Sequence, residues 1–238
     1  MSEILRHTSH GNNISVISLK SLGIIRKIAF SNYSKFYILK EKNGLYWYQN
    51  LINEELIFIK EFVNLKDYAK LDINFLDGFT INYIAPLRKT YFYINQCVDH
   101  YVKYWPKRQF VPIHGDLTLS NVIFNNKDPI CIDWEHFSDE QFDWGFDIAY
   151  LLLSSIILPD RNKQDLNPKD ILIFSKLWKK IANLGLNKVI IERPISYFKK
   201  IFTTNKNWEK IICDSPYKLF PLSKSNEYCA YFENIIIK

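Results

Sequence analysis

The sequence predicts an α+β chain, with a small antiparallel sheet first and a mainly helical part after it. Three observations predict this. Apolar, β-branched runs punctuated by turn residues fill the first third. Helical periodicity sets in near Thr90 and returns after Asn167. Between those two stretches lies a short hairpin with polar residues at both ends. Strands followed by helices, rather than alternating with them, read as α+β.

The elements follow in order. Ile14-Ser15-Val16-Ile17 and Gly23 to Phe30 read as two strands. Ser31-Asn32-Tyr33-Ser34 reads as a turn and Lys35 to Lys40 as a returning strand, with a helix expected over Leu45 to Leu51. Leu56 to Phe62 and Phe79 to Ile84 read as two further strands, with Asp77-Gly78 turning before the second and Pro86 ending the sheet. Thr90 to Trp105 has Tyr91, Ile94, Val98, Tyr101, Val102 and Trp105 on one helical face, and Pro106 stops it. Phe110-Val111 is a strand. Asn167-Pro168-Lys169-Asp170 opens a helix as cap, first-turn proline and first-turn acid. Its buried face runs through Ile171, Phe174, Leu177, Trp178, Ile181 and Leu184 to a closing Gly185. Weaker helices are expected near Pro194 to Phe202 and Asn226 to Ile237. The division falls at residues 1–86 and 87–238.

Composition narrows the function classes. Of 238 residues, 47% are hydrophobic and 24% charged, a globular balance. The net charge of +6 is spread in short clusters such as Lys179-Lys180 and Lys199-Lys200, without a nucleic-acid motif. Such a charge suits solubility and a mild pull on anions, ATP included. Cys97, Cys131, Cys213 and Cys229 form no C-x-x-C pair, so zinc is not expected and a reduced, cytoplasmic setting is. Met1 to His7 lacks the basic start and apolar core of a signal peptide, and the apolar run Ile148 to Leu158 is too short to span a bilayer.

The chemistry concentrates between His114 and Glu135. Val122-Ile123-Phe124 and Ile130-Cys131-Ile132 are short strands around the turn Asn125-Asn126-Lys127-Asp128-Pro129. An antiparallel hairpin brings Asp116 and Asn121, before the first strand, to Asp133, directly after the second. A carboxylate, an amide oxygen and a second carboxylate then converge. Such oxygens suit Mg²⁺, which leaves the rest of its shell to water and phosphates. Asp116 can stand beside that ion and accept a proton from a hydroxyl nucleophile. Phosphoryl transfer needs little more than such positioning and charge neutralisation.

His114-Gly115-Asp116-Leu117-Thr118-Leu119-Ser120-Asn121, followed by Asp133-Trp134-Glu135, resembles the small-molecule branch of the protein-kinase-like superfamily. That branch holds aminoglycoside phosphotransferases and choline, ethanolamine and thiamine kinases; the Asp-Trp-Glu form looks more like the latter group. The resemblance implies a bilobal protein-kinase-like fold, with a small antiparallel-sheet N-lobe and a mainly helical C-lobe. It implies ATP and Mg²⁺ as cofactors, Asp116 as catalytic base, Asn121 and Asp133 as metal ligands, and His114 bracing the loop. Gly145-Phe146-Asp147 matches a Gly-x-Asp whose carboxylate bonds back to that loop. Lys40 is the candidate for the lysine that reaches the phosphates; no glutamate partner is assigned to it. Gly-x-Gly-x-x-Gly is absent, and small polar residues at Ser31–Ser34 stand where those glycines would.

Gly115 in place of an arginine, and the short interval from Asp133 to Asp147, point to a small-molecule hydroxyl acceptor rather than a peptide. Glu135, Asp139 and Glu140 beside Trp134 suit an ammonium through charge and cation–π contact. The favoured acceptor is therefore choline-, ethanolamine- or thiamine-like, with a sugar next. The alternatives are a non-catalytic nucleotide-binding protein on the same fold and, behind it, a metal-dependent hydrolase.

Overall fold

The computed structural model describes residues 13–52, 58–161, 167–204 and 233. Strands β1 (Ile14–Leu19), β2 (Ile24–Ala29), β3 (Ile59–Asn64) and β4 (Ala69–Asn74) form an antiparallel sheet of order β1-β2-β4-β3. Helix α1 (Asn32–Ile52) packs across it. Helix α2 (Leu87–Tyr104) leads to β5 (Phe110–Ile113). A short hairpin, β6 (Val122–Ile123) and β7 (Ile130–Cys131), follows, and β8 (Ser138–Asp143) returns to pair with β5. The rest is helical: α3 (Phe146–Arg161), α4 (Pro168–Ala182), α5 (Lys188–Glu192) and α6 (Pro194–Thr204). The architecture is the expected bilobal, kinase-like α+β fold, and no described helix is long and apolar enough to cross a membrane.

Three elements depart from expectation. Lys35 to Lys40 is not a strand but the first half of α1. Tyr37, Glu41, Leu45, Tyr48 and Ile52 are buried along it at helical spacing, and that stripe outweighs the local run of aromatic and β-forming residues. Ser31 and Ser34 cap the helix reciprocally, each hydroxyl accepting the other's backbone N–H at 3.0–3.1 Å, so these residues start a helix instead of turning between two strands. Phe79 to Ile84 is not a strand either. Phe79 exchanges both backbone hydrogen bonds with Phe124, at 3.0 and 2.9 Å, and so docks onto the hairpin instead of the sheet. The fourth strand is β4, which pairs with both β2 and β3.

Other elements hold with shifted edges. Helix α2 buries Ile94, Val98 and Tyr101, with Trp105 just beyond its end, but Tyr91 and Val102 are exposed and Cys97 and His100 take their side of the face. Helix α4 begins with the Asn167–Asp170 capping box. Asp170 also accepts the Arg88 backbone N–H at 2.7 Å and pairs with the Arg88 guanidinium, joining α4 to the first turn of α2. The expected helix at Asn226 to Ile237 lies outside the described residues except for Glu233.

The core is strongly aromatic. Trp134 sits at its centre, in ring contact with Trp47, Tyr48, Trp105 and His114. This cluster seats the hairpin against α1 and α2, and so sets where the loop His114–Asn121 lies.

Candidate active site

Strand β5 delivers His114, which the fold buries completely. Its Nε2–H donates to the Ile132 carbonyl at 2.8 Å, and its Nδ1 then accepts the Asp116 N–H at 3.3 Å. One neutral tautomer satisfies both bonds, and burial holds the imidazole neutral by pulling its pKa down to about 4. Asp147, at the start of α3, accepts the backbone N–H groups of His114 and Gly115 at 2.9 and 3.0 Å. Burial raises Asp147 to about 7, against the pull of those two donors. Gly115 has φ of 87°, and a side chain there would collide with the His136 carbonyl. Glycine therefore lets the loop lie directly on the Asp133–His136 turn.

The hairpin brings the two polar ends together. Ile132 N–H donates to the Asn121 carbonyl at 2.9 Å, closing it beside Asp133. Asn121 Nδ2 donates to the Asp116 carbonyl at 2.8 Å. That bond turns the amide nitrogen inward and leaves Oδ1 as the group to meet a cation. Asp133 holds a left-handed backbone, φ 63°, uncommon outside glycine and costing about 1 kcal/mol. Its side chain is 38% exposed; Oδ1 pairs with Lys27 Nζ at 2.6 Å, and Oδ2 has no partner among the described residues. An amide oxygen and one open carboxylate oxygen are the oxygen donors that Mg²⁺ takes, so the residues fit the ion.

Lys27, and not Lys40, is the cation that pairs with Asp133. It stands on β2 and pairs with Glu41 Oε2 at 2.7 Å as well as with Asp133. Burial raises the Glu41 carboxyl to about 7, with Lys27 opposing. The two carboxylates hold the Lys27 ammonium well above its usual range despite burial. Lys40 instead lies on α1 with Nζ 5.2 Å from the Phe36 ring centroid, and its field is that of Asp139 and Glu140. A helix cannot offer Lys40 where a strand would. The sequence carried only a weak signal for Lys27: it is one of two adjacent cations, Arg26 and Lys27, in the strand run Ile24–Ala29, and Arg26 pairs with Asp72 instead.

Asp116 is nearly buried, and burial raises it to about 6. Its Oδ1 accepts the Tyr150 hydroxyl at 2.9 Å, a partner on α3 that the sequence reading did not single out. His136 lies beside it, its Nε2 3.6 Å from Glu135 Oε1. Glu135 thus lies next to His136, in the turn after Asp133. Trp134 is 0% exposed, and its indole N–H donates to the Cys131 carbonyl at 3.0 Å. It packs the core and presents no face to an acceptor, which corrects the cation–π expectation for it.

No curated protein matches the chain. Residues 64–165, from the end of β3 through the whole of α3, match the family model described as the phosphotransferase enzyme family, a family of the protein-kinase-like superfamily.

Proposed function

We propose that the protein is an ATP- and Mg²⁺-dependent kinase of a small-molecule hydroxyl. The observation that carries this reading is the convergence of Lys27, Glu41 and Asp133 from three separate elements beside Asp116 and Asn121. Asn121 and Asp133 would hold Mg²⁺, which when bound neutralises charge on the phosphates. Lys27, clamped by Glu41, is placed to meet the phosphate tail of ATP. Asp116 takes the acceptor's hydroxyl proton as the acceptor oxygen bonds to the γ-phosphorus. The bond from that phosphorus to the β–γ bridging oxygen breaks, and ADP leaves with the electron pair. A base near pKa 6 is mostly ionised at neutral pH and suited to this role. His114 and Asp147 hold the loop that carries it.

Glu135, Asp139 and Glu140 favour a cationic amino alcohol as acceptor, choline-, ethanolamine- or thiamine-like, with a sugar second. With Trp134 in the core, charge rather than an aromatic cage supports that order. The sheet up to residue 86 is read as the nucleotide cover, and the remainder as the part that holds the loop, the metal ligands and the acceptor. Cys97 and Cys131, both buried thiols, suit a reduced cytoplasm.

The test is ADP release with Mg-ATP across a panel of amino alcohols, thiamine, aminoglycosides and sugars, with Asp116→Asn as the control. Acceptor-dependent ADP is expected, reduced about 10²- to 10⁴-fold in the variant while Mg-ATP binding persists. Binding of Mg-ATP without turnover on any acceptor would favour the non-catalytic reading.

A further inference from the structure

We propose that Tyr150 is a positioning residue that selects which oxygen of Asp116 receives the acceptor's proton. This rests on the reading of Asp116 as the base. The two carboxylate oxygens are unequal. Oδ1 accepts the Tyr150 hydroxyl at 2.9 Å, in a buried bond. Among the described residues Oδ2 meets only Asn121 Nδ2, at 3.4 Å, a distance at which little bond strength remains. A carboxylate with one oxygen tied to a neutral donor keeps its open lone pairs on the other, so Oδ2 is the proton acceptor.

The hydroxyl is held by its ring. Tyr150 stacks on Phe146 with centroids 6.4 Å apart and planes 7° from parallel, and meets Phe198 of α6 at 5.9 Å. Tyr150 follows Asp147 by three residues on α3, so one helical face carries both the group that ties down the His114–Gly115 backbone and the group that ties down the Asp116 side chain. Backbone and carboxylate of the loop are thereby referenced to one helix. For phosphoryl transfer this is a larger benefit than base strength, because a loose transition state is served mainly by orientation.

Tyr150→Phe removes the hydroxyl and keeps the ring. Wild type, Tyr150→Phe, Phe198→Leu and Asp116→Asn are compared by ADP release with Mg-ATP and the same acceptor panel. For Tyr150→Phe, kcat is expected to fall about 10- to 100-fold while KM for ATP and for the acceptor stays within about threefold. Phe198→Leu, which keeps the hydroxyl and loosens its seat, falls less and in the same parameter. Wild-type kcat in Tyr150→Phe alongside an inactive Asp116→Asn overturns the positioning role and leaves the base in place. A loss carried equally by KM for ATP overturns it too, since that marks a general disturbance of the fold. Turnover that ignores Asp116→Asn, or none by wild type on any acceptor, removes the base itself and the positioning role with it.

Discussion

Lys27 and Lys40 show what a sequence discloses at the scale of one residue. The approach of His114, Asp116 and Asn121 to Asp133 was legible because they flank one local hairpin, whose pairing implies that its two ends meet. Lys27 meets Asp133 across 106 residues of chain, and no local pattern encodes that contact. It becomes visible only when β2 and α1 are packed together. The two lysines now predict opposite outcomes. Lys27→Met removes the cation shared by Glu41 and Asp133 and should lower kcat/KM for ATP by about 10²-fold, a magnitude typical of losing one preorganised charge contact. Lys40→Met, whose ammonium lies toward Asp139 and Glu140, should change the same parameter less than about threefold. Steady-state kinetics in ATP decides between them, and equal losses would return Lys40 to the phosphates.

At the scale of elements, α1 was the hardest to read, and the reason is its packing. Phe36-Tyr37-Ile38-Leu39 has strand-like composition, and Gly44 looks like a break ahead of a shorter helix. Instead the helix runs unbroken through Gly44, because a small residue is required there. An added Cβ would lie 2.7 Å from Trp134 Cβ and 2.9 Å from Phe137 Cβ. The glycine is thus the notch by which α1 settles on the turn following Asp133, and that settling brings Glu41 to Lys27. Two effects oppose each other in Gly44→Ala. Helix propensity favours alanine by about 1 kcal/mol, while overpacking against two immobile side chains costs about 1–3 kcal/mol. Neither neighbour is the tip of a flexible chain, so overpacking should win, and urea unfolding should show a net loss of up to about 2 kcal/mol. A stabilised variant would mean that α1 moves freely over the turn. By contrast, α4 was legible from its first residues, since its cap, proline and acid act within one turn.

The whole molecule shares one aromatic core between sheet, hairpin and helices, and its acid stability should report that. His100, on α2, is buried with Nε2 2.8 Å from the Tyr48 hydroxyl of α1, and Tyr48 in turn accepts the Cys131 N–H of β7 at 3.1 Å. His100 Nδ1 is buried without a partner among the described residues, so an imidazolium would carry an N–H that none of them satisfies. Burial accordingly lowers its pKa to about 4. The unfolded chain, near 6.5, takes up the proton first. The contribution of His100 is therefore complete above about pH 6.5 and is lost as the pH falls toward 4. Asp116, Glu41 and Asp147 act in the opposite sense: their pKa values are raised in the fold, so acid relieves them from about pH 7 downward. The slope of the wild-type curve mixes both signs, and only a difference isolates the histidine. Between pH 7.5 and pH 5, wild type should lose about 2 kcal/mol more, or gain that much less, than His100→Gln, from the two pKa values and 1.36 kcal/mol per unit. Urea denaturation at the two pH values measures it. Parallel curves would show that the imidazole is protonated in the fold, and that the shared core is open to water around α2.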